Sequence, residues 1–272
     1  EQVQIAIFST IGFCRAAMVS TTPMCTLVLL RRPDHEWPVL LAANRDEMMD
    51  RPSSSPARHW PDRPDIVAGK DELSDGSWLG INDFGVVAAI LNRTGSLGPA
   101  DNKRSRGELV LEALDHADAQ SAAQALADID PTAYRSFNLV IADNRDGYWL
   151  ASRNGAISIE SHPIPEGYSI FTSQDRNEIR APRIGTYLPR FEAAEIPDPA
   201  QGEWSQWEAL MATRLTDDQP RFDDAMCIVT DHGYGTVSSS LIALPAPAPA
   251  ARAHWRFANG RPDIMPYEVV LL

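Results

Sequence analysis

The chain has 272 residues, 44% of them hydrophobic and 22% charged. That length and balance suit a water-soluble globular domain with a sizeable core. Its 24 Lys and Arg stand against 37 Asp and Glu, a net charge of −13. Such a chain repels phosphate backbones, which argues against nucleic-acid partners. The longest apolar runs are about eight residues, far short of the roughly 20 that span a bilayer, so no stable membrane insertion is expected.

In chain order, residues 1–23 come first. They hold a short apolar patch but open on Glu1 with no basic segment, which is poor signal-peptide chemistry. They read as an extension, either a leader or a mis-called start, ahead of one domain over 24–272. "CTLVLLRR" and "PVLLAANRDE" predict two strands joined at "PDHEW". "RPSSSPARHWPDRPD" predicts a loop. "GSWLGINDFGVVAAILN" predicts a hairpin turning at 82–85. "SRGELVLEALDHA" and "SAAQALADI" have helical spacing, with Ser105 and Glu108 placed for a capping box. "SFNLVIADN", "GYWLASRNGAISIES" and "GYSIFTSQ" predict three or four strands. "EIRAPRIGTYLPRFEAA" and "EWSQWEALMATRL" predict helices, with Pro182 bending or starting the first. "AMCIVTD", "TVSSSLIAL", "AHWRFANG" and "YEVVLL" predict closing strands, and "PAPAPAA" an extended loop. Hairpin-like strand runs alternating with helices predict antiparallel sheets covered by helices, an α+β layered domain.

The three cysteines, Cys14, Cys25 and Cys227, show no CxxC spacing, and the six histidines form no HxxxH. The expectation is therefore a reducing, cytoplasmic setting with no metal and no cofactor. Cys25 follows Met24 and opens an apolar run. Methionine is trimmed before a small residue, so a start at Met24 exposes Cys25 with its thiol and a free α-amine. That amine has an ordinary pKa of about 7.7 to 8.0 and is able to act as a base for its own thiol. Taken alone, a buried strand thiol explains Cys25 as well. Asn44, Arg45, Asp46 and Glu47 end an apolar strand, where consecutive side chains alternate between faces. They form either a solvated turn or a rim whose Arg–carboxylate pair orients a reacting group. Asn92 ends another apolar strand and offers amide donors for an oxyanion, or simply forms a turn. "DHGYGTVSSS" is Gly/Ser/Thr-rich but lacks a phosphate-binding Lys and precedes a strand. It reads as a hairpin loop near the site.

Together "MCTLVLL", "LLAANRDEMMDRPS", "GSWLGIN", "RSRGELV", "FNLVIAD" and "HGYGTVSSSLIAL" resemble the NRDE family, which includes the transport-and-Golgi-organisation proteins. The order of these motifs is that of the family from Met24 nearly to the end. That pattern is similar to N-terminal-nucleophile hydrolases of the bile-salt-hydrolase and penicillin-V-acylase type. The resemblance implies a four-layer αββα sandwich in which an N-terminal cysteine attacks an amide. By it, Cys25 matches the nucleophile, Arg45 and Asp46 the residues that hold thiol and amine, and Asn92 the oxyanion donor. The acylases space that Arg and Asp more widely. Asn44, Glu47, Trp78, Ser173 and Gln174 are the expected substrate-binding residues. Two departures stand out: "FTSQD" offers Ser173 or Gln174 where the acylases carry Asn, and Val237 follows "GYGT" where relatives often carry Arg. The implied activity is hydrolysis of an amide or thioester of an acylated small molecule. The alternative is a non-catalytic carrier of haem, lipid or acyl-CoA.

Overall fold

The computed structural model describes residues 25–214, 224–248 and 251–272. Two antiparallel sheets are stacked face to face. The first has six strands in the order β10 (Gly167–Phe171), β1 (Thr26–Arg31), β2 (Val39–Met48), β11 (Tyr234–Leu244), β12 (His254–Ala258), β13 (Glu268–Val269), and the second has seven in the order β3 (Ser53–Ala57), β4 (Ile66–Asp71), β5 (Leu79–Asn82), β6 (Val87–Asn92), β7 (Phe137–Ala142), β8 (Gly147–Ser152), β9 (Glu160–Pro163). The site depends on β1 (Thr26–Arg31), β2 (Val39–Met48), β11 (Tyr234–Leu244), β4 (Ile66–Asp71), β5 (Leu79–Asn82) and β6 (Val87–Asn92). Helices α1 (Gly107–Leu114) and α2 (Ala119–Ala127) cover the second sheet; α3 (Pro182–Ala193) and α4 (Ser205–Met211) cover the first. The expected αββα sandwich is therefore observed.

Residue alternation creates these layers. In β2, Val39 and Leu41 enter the core between the sheets, while Leu40 and Ala42 pack against α3 and α4. In β6, Val87, Ala89 and Leu91 face the inter-sheet core and Ala88 faces α1. Strands buried on both sides read as continuous apolar runs, and here the period of two appears only in which core each residue joins.

The predicted hairpin over "GSWLGINDFGVVAAILN" is β5 and β6, paired Leu79↔Ala89 to Ile81↔Val87. Gly85 has φ +85°, a conformation that glycine adopts without steric penalty. The "three or four strands" of the middle segment are four: β7 (Phe137–Ala142), β8 (Gly147–Ser152), β9 (Glu160–Pro163) and β10 (Gly167–Phe171). Pro182 starts α3 at its first turn, and the helix tolerates Pro189 within it.

Several local expectations need correction. "SSSPA" forms an edge strand, β3 (Ser53–Ala57), rather than a loop; edge strands accept a proline because one side of their ladder is open. The Ser105–Glu108 capping box does not form. Ser105 Oγ accepts from Gly107 N at 3.3 Å, and the N-cap is Arg106 with no side-chain cap bond. "AMCIVTD" makes only an isolated bridge, Val229↔Gly235. β12 (His254–Ala258) forms as expected, but "YEVVLL" contributes only the two-residue β13 (Glu268–Val269). "PAPAPAA" lies partly outside the described residues, as do Cys14 and residues 1–24.

Asn82 locks the hairpin to α1. Its amide donates to Leu114 O at 2.8 Å and His116 O at 2.7 Å, and its oxygen accepts from Phe84 N and Val86 N. Asn82→Ala strands four buried or half-buried backbone groups and is expected to lower unfolding free energy by about 3 kcal/mol. Urea denaturation checks this as a lower midpoint at unchanged slope.

Candidate functional site

Cys25 immediately precedes β1, and its thiol turns toward the turn-out of β2. Its Sγ donates to Asp46 O at 3.5 Å and accepts from Asp46 N at 3.4 Å. The tetrapeptide 44–47 lies within β2 and splits by strand parity. Asn44 and Asp46 face the helix layer, while Arg45 and Glu47 face cavities.

Asp46 is 3% exposed and its carboxylate is fully engaged. Thr236 Oγ1 donates to Oδ1 at 2.6 Å, and Arg183 Nη1 lies 3.3 Å from Oδ2. The same Arg183 nitrogen donates to Thr26 Oγ1 at 2.6 Å. One buried cluster thus joins β1, β2, β11 and α3. A bulge between Thr236 and Ser238 sets this up. Thr236 pairs with Asp46 and Ser238 with Arg45, leaving Val237 as the extra residue.

Arg45 Nη1 donates to Ser53 Oγ at 3.0 Å, and its guanidinium sits 4.2 Å from the Trp78 ring centroid. Trp78 reaches this position because residue 69 is glycine; a Cβ there would come within 2.3 Å of the indole. Asn44 bonds Met211 O at 3.0 Å and Met226 O at 2.9 Å, so its amide ties β2 to the end of α4.

Two cavities meet at Cys25. Cys25, Arg45, Trp78 and Ile90 line both. Beside the thiol is a mostly apolar slot of about 20 Å³, walled by Leu27, Leu79, Ala89 and Leu91, with Asn44 and Thr26 also on its lining. In front is a cavity of about 630 Å³, which Glu47 and Asn92 also line. Ser173 and Gln174 do not line either cavity. They hold the turn after Asn92 instead: Thr94 N donates to Ser173 O at 3.2 Å, and Gln174 Nε2 donates to Thr94 Oγ1 at 2.7 Å. Arg93 is fixed alongside by Asn138 Oδ1 and Asp175 Oδ1, each at 2.6 Å. Val237 lines neither cavity. The structure therefore gathers Cys25, Arg45, Asp46, Glu47, Trp78 and Asn92 at one space, the Asp46 carboxylate being turned to Arg183 and Thr236.

Arg183, Thr26 and Thr236 escape sequence reasoning. A signal existed for the first: Arg183 shares the buried face of α3 with Ile184, Tyr187 and Phe191. A cation on an apolar stripe implies a buried partner. Among the described residues, no group of three His, Cys, Asp or Glu has metal-holding geometry, both cysteines are free, and no helix is long and apolar enough to cross a membrane.

Burial pushes the Cys25 thiol up to about 12, and the Asp46 charge adds to that rise; the Asp46 amide and Arg45 oppose it. Burial also pushes the Asp46 carboxyl up to about 6, although Arg183 and Thr236 pull it down.

The two stacked antiparallel sheets between helix layers are an arrangement that known amide-hydrolysing enzymes share as a fold. The fold matches that of the Caenorhabditis elegans ortholog of N-acylethanolamine-hydrolyzing acid amidase with a TM-score of 0.56 at 15% identity, over 83% of this chain and 95% of that one. It also matches a variant of the conjugated bile acid hydrolase from Clostridium perfringens, with a TM-score of 0.50 at 11% identity, over 91% and 97%. The chain belongs to the Transport and Golgi organisation 2 family, whose profile matches residues 24–247. The Transport and Golgi organization protein 2 homolog of Bos taurus is 36% identical over 111 residues, and that of Homo sapiens 37%. Those matches span 39% of this chain and 38% of the relatives' own length.

A carboxyl held near 6 when folded and near 3.8 when unfolded binds its proton more tightly in the folded state. Its contribution is present below about pH 4 and lost as pH rises through about 6, a swing of about 3 kcal/mol. Urea unfolding between pH 4 and 7 should show this slope in the wild type and a flatter one in Asp46→Asn.

Proposed function

We propose that the protein is an N-terminal-cysteine hydrolase acting on an amide or thioester of an acylated small molecule. One observation carries this reading: a single thiol, Cys25, lies at the junction of a small, mostly apolar slot and a 630 Å³ cavity. The named structural relatives include an amidase and a bile acid hydrolase, which fits the same chemistry.

The chemistry follows from the groups present. No described histidine lines either cavity, and the thiol is held protonated by burial and Asp46. A base must therefore come from elsewhere. Removal of everything before Cys25 frees an α-amine on the same residue, and that amine takes the Sγ proton. The thiolate attacks the acyl carbonyl carbon, and the carbonyl oxygen becomes an oxyanion. The Asn92 side-chain amide lines this cavity and makes no hydrogen bond to another described residue, so it is available as an oxyanion donor. As the tetrahedral adduct collapses, the ammonium returns the proton to the departing amine or thiol. Water then attacks the acyl-cysteine, with the amine again as base. Arg45 counters the negative charge of the thiolate, while Asp46 holds the strand end through its backbone contacts with Sγ.

A chain produced with Cys25 as its first residue is expected to react with an electrophilic acyl probe, read as a mass increment at Cys25. The full 272-residue chain, whose Cys25 nitrogen is in a peptide bond, is expected to react at least ~100-fold more slowly, as loss of a general base implies. Equal labelling of Cys25→Ala would sink this reading. With an acyl substrate that the Cys25-first chain turns over, Asn92→Ala should lower kcat by roughly 100- to 1,000-fold with KM little changed, the pattern of a lost oxyanion donor.

A further inference from the structure

The 630 Å³ cavity is basic in a chain whose net charge is −13. Arg45, beside the thiol, is held by Ser53 and Trp78; the remaining cations fall into two groups. Arg51 is matched by Asp71 at 2.8 Å and Glu47 at 3.7 Å, and Arg104 by Glu108 at 2.7 Å and Glu112 at 3.5 Å. Lys103, Arg106 and Arg135 have no carboxylate in ion-pair reach among the described residues. They bond only to oxygens that carry no full charge. Lys103 Nζ donates to Thr132 O, and Arg135 donates to the carbonyls of Gly95, Leu97, Gly98 and Pro99. Arg106 donates through Nη1 alone, to Ser96 O at 2.8 Å, Ser96 Oγ at 2.9 Å and Ser136 O at 3.0 Å. Its Nε and Nη2 have no described partner.

Arg106 and Arg135 repel one another across this wall, and a half-buried guanidinium without a counter-charge is costly. That cost is visible at Arg106, which burial and the neighbouring Arg135 charge push down to about 10. Cys25 and Glu47 lie close enough to raise the Arg106 value slightly against that trend, and all three line the same cavity. The same cavity carries exposed apolar side chains: Met48 at 41%, Leu73 at 67% and Leu97 at 40% exposure. Apolar surface next to uncompensated cations is complementary to an amphipathic anion.

We propose that Lys103, Arg106 and Arg135 bind the anionic group of an amphipathic acyl substrate, a phosphate, sulfonate or carboxylate joined to an apolar chain. The word "substrate" here rests on the hydrolase reading above, whereas the binding itself does not. The guanidinium of Arg106 offers a fork that fits two oxygens of such a group. Met48, Leu73 and Leu97 cover the chain. The anion replaces the missing carboxylate and relieves the repulsion along the wall.

Binding to the full chain carrying Cys25→Ala separates the two readings, because it needs no turnover. Octyl phosphate, octanesulfonate, octanoate and uncharged octanol are titrated calorimetrically. At least one of the anions is expected to bind ~10-fold or more tighter than octanol, the effect of about one charge-assisted hydrogen bond. Lys103→Gln and Arg135→Gln should each lose ~5- to 10-fold for that anion and leave octanol unchanged, which also reports an intact fold. Equal affinity for anions and octanol, or anion affinity untouched in both variants, overturns the proposal. Inorganic phosphate competing as well as octyl phosphate also overturns it, by assigning the wall to a free anion. Charge-selective binding by a chain whose Cys25 proves unreactive to acyl probes supports the anion site and removes only the hydrolase.

Discussion

A single buried carboxylate organises the end of the first sheet. Asp46 lies between the sheet and α3 with Arg183 and Thr236 on its two oxygens. Burying an ion costs several kcal/mol, and only a partner with good geometry offsets that cost. The requirement ties four elements together. Arg183 must sit on the inner face of α3, Thr236 must be carried inward by the bulge in β11, and Thr26 must present its hydroxyl to the same guanidinium. The backbone of Asp46 faces the other way and touches the Cys25 thiol. A clamp in the helix layer thus fixes the height of β1 against β2, and so the place of the thiol.

The four residues of the NRDE stretch divide their labour by strand parity. Asn44 and Asp46 are structural partners of α4 and α3; Arg45 and Glu47 belong to the cavity. Arg45 is held flat by Trp78 and Ser53, which leaves a positive group beside the thiol at little conformational cost. The thiol's own environment opposes ionisation. On the proposed reading, a thiol placed this way is quiescent until a base or cation is added beside it. A newly exposed α-amine at Cys25 would supply both.

Much of this was legible in the sequence. The "GINDFG" turn, the 44–47 cluster and the apolar run after Cys25 each carry a local signal, and alternation already implied that 44–47 would point to both faces. What stayed hidden depends on distant pairing. Arg183 lies 137 residues from Asp46 and Thr236 lies 190 away; no local period marks such contacts. "AMCIVTD" has strand composition, yet the ladder place beside β2 is taken by β11 and the segment bridges only at Val229. "SSSPA" lacks strand composition but pairs with β4 because the sheet edge admits it. Ser173 and Gln174 stand where an acylase carries Asn, and in the structure both hydrogen-bond with Thr94 in the turn beyond Asn92. Whether a residue touches a cavity or supports one that does is decided by side-chain direction, and that cannot be read from order along the chain.

The two spaces around Cys25 constrain how any acyl compound would lie. The slot beside the thiol, at about 20 Å³, has room for about one water-sized group. Widening it means parting Leu27 and Leu91, which belong to the continuous core between the sheets; interiors at this packing density yield only at the cost of lost contacts. Both sides of a scissile bond longer than an acetyl group would therefore extend into the larger cavity, where the apolar side chains and the cations lie together. On the proposed reading, selectivity is set by that one wall. The acyl chain and its head group are then recognised jointly, and a substrate is chosen by the distance between its charge and its carbonyl more than by chain length alone.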